Sequence, residues 1–200
     1  FTIAVAISLG TKSNVILAGA GQGATTIIAA NNLNTDLVAV GDGATYTTHV
    51  SILDLTISGN SANQTVGSGV NASGVEKLHL ERVTVYNCKE YGILSGGDGT
   101  PNSTYLEVMN CYVNTNILSG IYVINSSYGA VIHGNVIAGN GKTADEGGVS
   151  LNANSDHTIV GNLFDENSYG IKAYASSYTT ITGNTFINQE RDGVFLQNCS

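Results

Sequence analysis

Apolar and polar residues alternate along this chain in short runs. Phe1, Ile3, Val5 and Ile7 fall on one face of the first run. A Gly followed by an apolar residue then recurs as Gly92-Ile93, Gly120-Ile121, Gly148-Val149, Gly170-Ile171 and Gly193-Val194. From 92 to 120, 148, 170 and 193 the steps are 28, 28, 22 and 23 residues. The two longer steps carry insertions, 96–102 and 141–146, so the underlying period is about 22 residues. Inside each period lies a second signature: Ile132-His-Gly-Asn135, Ile159-Val-Gly-Asn162 and Ile181-Thr-Gly-Asn184. An apolar residue follows each at Ile137, Phe164 and Phe186, then a further Asn at Asn140, Asn167 and Asn188. Val108-Met-Asn110, Leu80-Glu-Arg82 and Leu53-Asp54 fill the same place in earlier periods.

Alternation of period two predicts strands, and a fixed repeat of this length predicts a solenoid. The expected fold is all-β: a single-stranded right-handed parallel β-helix of about eight coils, each of about 22–28 residues, over residues 1–200. Apolar side chains point into the bore and stack on their equivalents one coil away, ~4.8 Å along the axis. Gly is expected at tight, positive-φ bends. The inward asparagines Asn110, Asn135, Asn162 and Asn184 are expected to form a hydrogen-bonded ladder. No coil buries its apolar face alone, so stability comes from stacking. The chain opens and stops inside strands, which reads as part of a longer protein or as ends covered by neighbouring subunits in a homo-oligomer or filament.

Composition agrees. Charged residues make up 11% of the chain and hydrophobic residues 42%, with 25 Gly and one Pro. Asn, Ser and Thr carry the polar content and disfavour helix interiors. The net charge is −8, with seven Lys plus Arg scattered singly, so no basic cluster exists to follow nucleic acid. No apolar run approaches the ~18 residues of a membrane span. Five sequons, at Asn63, Asn71, Asn102, Asn125 and Asn198, lean toward an extracellular or cell-surface glycoprotein. Cys88 and Cys111 follow different Asn positions of their coils, ~16 Å apart along the strand path. That is too far for a disulfide, so all three cysteines, Cys199 included, read as small core or turn residues.

The early segment from Ser13 to Ile27 leads with Asn14, bends at Gly21-Gln-Gly23 and continues Thr25-Thr-Ile27; Val50 to Asn60 follows as the next coil. These segments resemble the pectate-lyase-like superfamily of parallel β-helix repeat proteins, and the resemblance covers essentially the whole chain. It implies the fold; the superfamily's lyases, hydrolases, epimerases, phage tailspikes, adhesins and surface-layer proteins leave the activity open.

Asn34-Thr-Asp36 matches the first motif of polygalacturonase-type hydrolases, but their Asp-Asp, Gly-His-Gly and Arg-x-Lys partners are missing. A pectate-lyase arginine segment is excluded, because the only arginines are Arg82 and Arg191. The epimerase signature is absent. The best acid-and-base cluster joins Asp145, Glu146, Glu166, Lys172 and Asp192, near the Gly anchors. His49, His79, His133 and His157 fall in different coils and read as solvated strand or turn residues. No cofactor is expected; Gly41-Asp42-Gly43 and Gly97-Asp98-Gly99 are turns first and Ca²⁺ candidates second. If Ile121, Val149, Ile171 and Val194 point inward, then Tyr122, Ser150, Lys172 and Phe195 point outward, followed by Ile124, Asn152, Tyr174 and Gln197. Exposed aromatics in a row suit stacking on sugar rings, burial against a neighbouring subunit or a further domain, or no more than a scatter of surface aromatics. On the first reading Tyr122, Tyr174, Phe195 and Gln197 are the glycan-binding candidates.

The reading that best fits an intact scaffold without a recognised catalytic set is an extracellular structural or adhesive β-helix of a cell surface or filament, with polysaccharide or neighbouring subunits as partners. The alternative is a polysaccharide lyase, hydrolase or epimerase, or a phage tailspike segment.

Overall fold

The computed structural model describes residues 1–96, 102–125, 127–153 and 155–200. The Gly97-Asp98-Gly99 turn lies outside them. Among the described residues there is no α-helix, only a 3-10 turn at Ser61–Asn63. Every strand pairing is parallel, in one sheet of eight strands and one of thirteen. The chain is a right-handed parallel β-helix.

The eight-stranded sheet stacks Ile7–Gly10, Val38–Val40, Val70–Ala72, Ile93–Ser95, Ile121–Ile124, Gly147–Asn152, Tyr169–Tyr174 and Val194–Gln197 in order. The Gly-apolar anchors pair in register: Ile93 opposite Ile121, then Val149, Ile171 and Val194. The other sheet supplies two further strand columns. The twelve-residue strands Thr47–Ser58 and Val75–Tyr86 run through both. In later coils the same path divides into pairs of three-residue strands, such as Val131–His133 and Val136–Ala138.

Like stacks on like in the bore. Ile57, Val85, Val113, Ile137 and Phe164 form one column, all fully buried. It closes on Phe186, whose ring stacks on Phe164 with centroids 5.0 Å apart. A large buried apolar side chain contributes roughly 1.5–3 kcal/mol, so the continuous core carries most of the stability.

The bends bear out the expectation in part: glycines such as Gly21, Gly23, Gly134, Gly161 and Gly183 have positive φ, but not every such bend is Gly and not every Gly is such a bend. The corner of Asp54, Arg82, Asn110, Gly134, Gly161 and Gly183 is left-handed throughout, with φ between 52° and 66°, yet only three of the six are Gly. The anchor glycines 92, 120, 148, 170 and 193 do not have positive φ at all. They are Gly because coils touch there: a Cβ on Gly92 would lie 2.6 Å from the Gly120 carbonyl oxygen.

Each corner residue is followed by an inward one. After the first corner these are Leu55, Val83, Cys111, Asn135, Asn162 and Asn184. Asn135 donates its backbone N–H and its Nδ2 to Asn162 Oδ1, both at 2.9 Å, and Asn162 repeats this to Asn184 Oδ1. Asn135 and Asn162 are buried; Asn184, near the end of the stack, is half-buried. Asn110 does not join this ladder. It occupies the corner opposite Gly134, at φ 53°, and is exposed. The rung belongs to Cys111, whose N–H donates to Asn135 Oδ1 at 2.8 Å. A second ladder runs from Cys88 through Asn116, Asn140 and Asn167 to Gln189, so Gln189 and not Asn188 is its last rung. Cys88 and Cys111 therefore sit in different columns, and all three cysteines are free thiols.

His157 corrects the solvated reading. It follows a left-handed corner residue, Asp156, and enters the core at 1% exposure. Its Nδ1 accepts the Ala130 N–H at 3.1 Å, and its Nε2 has no partner among the described residues. Burial pushes the imidazole from its ordinary 6.5 down to about 4, with Asp156 opposing weakly. The unfolded chain binds this proton below pH 6.5 while the folded one resists it until about 4. Stability is therefore lost as pH falls through that window, on the order of 3 kcal/mol from this group. Urea midpoints measured from pH 7 to 4 should fall steeply in the native chain. His157→Leu should flatten the curve; an unchanged slope would show that other groups drive the acid response.

Candidate functional site

The outward side of the eight-stranded sheet carries a groove of about 240 Å³. It is lined by Tyr122, Glu146, Ser150, Leu151, Asn152, Lys172, Tyr174, Phe195 and Gln197. The register explains its shape. Tyr122, Ser150, Lys172 and Phe195 are stacked neighbours on one outward column; Ile124, Asn152, Tyr174 and Gln197 form the next. Small Ser150 between Tyr122 and Lys172 makes the dip. Tyr174 and Gln197 are exposed, while Tyr122 and Phe195 are half-buried. All four glycan-binding candidates thus share one groove.

The aromatic walls are braced from behind. The Tyr91 and Tyr122 rings lie 4.7 Å apart, and Tyr169 backs Phe195 at 5.4 Å. Asn152 Nδ2 donates to the Tyr122 hydroxyl at 3.1 Å. Burial, helped by Glu146, drives the Tyr91 phenol far above its ordinary range, so it stays neutral. Tyr91 and Tyr169 were not singled out from the sequence. The available signal was their place: both immediately precede an anchor Gly, the position Ser119 also holds.

The five acid-and-base candidates do not gather at one point. Glu146 and Lys172 line the groove. Asp145 stands behind them: its backbone oxygen accepts from Lys172 Nζ at 2.6 Å, and its carboxylate pairs with Arg191 Nε at 3.0 Å. Lys172 also lies 5.2 Å from the Tyr169 ring centre. Glu166 departs from the cluster, occupying the corner opposite Gly139 and Asn188 and facing Lys142 at 3.4 Å. Asp192, also outside the groove lining, is exposed one coil past Tyr169.

Glu146 is the best-positioned acid. The Ser119 and Ser150 hydroxyls lie 2.8 and 2.9 Å from its Oε2 and 2.8 Å from each other. Both serines are buried, and the Gly147 N–H donates to Ser150 Oγ at 3.0 Å. No hydrogen bond to Oε1 joins these among the described residues, and Glu146 is one of the residues that line the groove.

Other candidates have structural duties. Asn34 Oδ1 accepts the Thr65 N–H and Asp36 Oδ1 the Ser68 N–H, so the Asn34-Thr-Asp36 match ties one coil to the next. Asp42 accepts the Ala44 and Thr45 N–H groups, which lower its pKa and use it as a turn residue. Of the sequons, Asn63 and Asn198 are exposed and Asn102 and Asn125 half-buried. Asn71 is half-buried, and its Nδ2 donates to Asp36 Oδ2 at 2.8 Å. A second depression, about 360 Å³, lies on the other sheet between His49, Lys77, His79, Tyr105 and Glu107. There His79 is held by Glu107 at 3.0 Å and Glu81 at 3.4 Å.

Fold and register together define a pectate-lyase-like parallel β-helix with a braced aromatic groove on one sheet. The NosD family profile, described as periplasmic copper-binding protein (NosD), matches residues 95–200, just over half of the chain. The chain belongs to that family. Among solved structures, the pre-mature bacteriophage phi29 gene product 12 is similar with TM-score 0.82 and 19% identity, over 98% of this chain and 29% of that one. Geobacillus virus E2 ORF18 is similar with TM-score 0.68 and 12% identity, over 100% of this chain and 50% of that one. The periplasmic alginate epimerase AlgG, T265N mutant, gives TM-score 0.58 and 19% identity, over 80% of this chain and 35% of that one. The chain thus spans 29% to 50% of these proteins, and the likeness is one of fold. No curated protein matches the sequence.

Proposed function

We propose that this chain is a glycan-binding β-helix acting outside the cytoplasm as a structural or adhesive module. The observation that carries the reading is the groove itself. Tyr122, Tyr174 and Phe195 offer ring faces, Asn152 and Gln197 offer amides, and four stacked strands extend the surface along the axis. At ~4.8 Å per coil that is roughly 15 Å of surface, room for more than one sugar ring. Sugars present C–H faces to aromatic rings and hydroxyls to amides, so the lining matches this chemistry. The periplasmic description of the family and of the epimerase neighbour supports a location outside the cytoplasm.

Binding is favoured over turnover. A glycosidase needs two facing carboxyl groups about 5–9.5 Å apart. Among the described residues, Glu146 is the only carboxylate lining the groove. The family description also names copper, but among the described residues no three His, Cys, Asp or Glu side chains come together as a metal site. The residues described do not fit copper.

Electrophoresis through gels containing polysaccharide tests the reading. The native chain should be retarded by at least one glycan without releasing new reducing ends. Tyr174→Ala should weaken retardation about five- to tenfold, the loss of one aromatic contact. His79→Ala, on the other sheet, should leave it unchanged. Mobility indifferent to every glycan would overturn the proposal.

A further inference from the structure

We infer that the groove selects neutral sugars over uronic-acid polymers, with Glu146 Oε1 accepting a sugar hydroxyl. The inference rests on the groove being a glycan site and names the class of glycan.

A uronan carries one negative charge per sugar and needs free cations. Among the described residues the groove lining has one cation, Lys172, and it is already committed. Its Nζ donates to the Asp145 backbone oxygen at 2.6 Å, lies 3.9 Å from the Asp145 carboxylate and sits over the Tyr169 ring. Arg191, which shares Asp145 and Tyr169 with Lys172, is taken by Asp145 at 3.0 Å and by the Tyr169 hydroxyl at 3.1 Å. What faces a ligand is instead the Glu146 carboxylate, and the chain as a whole carries a charge of −8. Like charges close together in a partly desolvated groove repel.

The same carboxylate suits a neutral ring. Ser119 and Ser150, at 0% and 3% exposure, hold Oε2 and fix the plane of the group. Two buried hydroxyls aimed at one oxygen leave the other in place as an acceptor. A hydroxyl donating to a carboxylate makes a charge-assisted hydrogen bond, about twice as strong as a neutral one. Tyr122 and Tyr174 flank the position and supply the ring faces. Glu146 is therefore a preorganised acceptor on an aromatic floor, which a polyhydroxyl ring satisfies and a carboxylated one does not.

Calorimetric titration of the whole chain with neutral oligosaccharides (manno-, xylo- and gluco-series) and with oligoalginate and oligogalacturonate tests the inference. At least one neutral series should bind ten times more tightly than either uronan. Glu146→Gln keeps the shape and an acceptor for the serines; it should weaken neutral binding about tenfold and narrow the gap to the uronans, with an unchanged melting temperature. Ser119→Ala, which frees the carboxylate, should weaken neutral binding less. Uronans binding as well as neutral sugars would overturn the selectivity and leave the glycan groove standing. Neutral binding untouched by Glu146→Gln would remove Glu146 from the site. No binding by any oligosaccharide would overturn the groove reading itself.

Discussion

Asn162→Leu is expected to lower the free energy of unfolding by roughly 3–6 kcal/mol, far more than a surface change. Leu has as many side-chain heavy atoms as Asn but is bulkier and cannot hydrogen-bond, so lost hydrogen bonds lead the cost and crowding adds to it. Asn162 Oδ1 takes both the backbone N–H and the Nδ2 of Asn135 at 2.9 Å. Its own Nδ2 donates to the Ile132 carbonyl at 2.9 Å. Leucine leaves two donors and one acceptor without these partners at a site that is 2% exposed. Each unsatisfied buried group costs about 1–3 kcal/mol. Asn184→Leu should cost less, because Asn184 is half-buried and water can replace the amide. Urea unfolding of the two variants against the native chain reads the difference; equal, small shifts would show that the ladder adds little.

Gly92→Ala is expected to destabilise by about 3 kcal/mol or more, a large effect for one methyl group. The added Cβ would stand 2.6 Å from the Gly120 oxygen, 2.7 Å from Asn116 Nδ2 and 2.9 Å from Val113 Cγ1. The first is backbone of the next coil, the second a rung of the second ladder and the third a core methyl. None can retreat without disturbing coil stacking. Gly23→Ala makes the instructive comparison. It has φ 81° but nothing within 4 Å of its Cβ, so its cost is backbone strain alone. A left-handed residue costs about 1–2 kcal/mol. Thermal melts should rank Gly92→Ala well below Gly23→Ala; the reverse order would mean that φ, and not close approach, selects glycine at the anchors.

The strand columns were legible in the sequence because stacking repeats residue types. The anchors at Ile93, Ile121, Val149, Ile171 and Val194 pair as aligned, and alternation put Tyr122, Tyr174, Phe195 and Gln197 on one face. The ladder was half legible. Asparagine suits both the left-handed corner and the inward rung beside it, so Asn110 and Asn188 resemble rungs although Cys111 and Gln189 hold those places. His157 lies two residues before the inward Ile159, so alternation placed it inside, and only its polarity argued for solvent. The acid cluster was least legible. Whether Glu146 turns into the groove and Glu166 away depends on the path of the 141–146 insertion and on which residue takes the corner, and strand period specifies neither.

If one outward face of the stack receives a sugar, amide chemical-shift mapping of the labelled chain during titration with a neutral oligosaccharide will show where. Saturable shifts are expected only at Tyr122, Glu146, Ser150, Lys172, Tyr174, Phe195 and their strand neighbours, with none around His49, Lys77 and His79. Shifts centred on the His79 depression, or none on the eight-stranded face at saturating sugar, would contradict it.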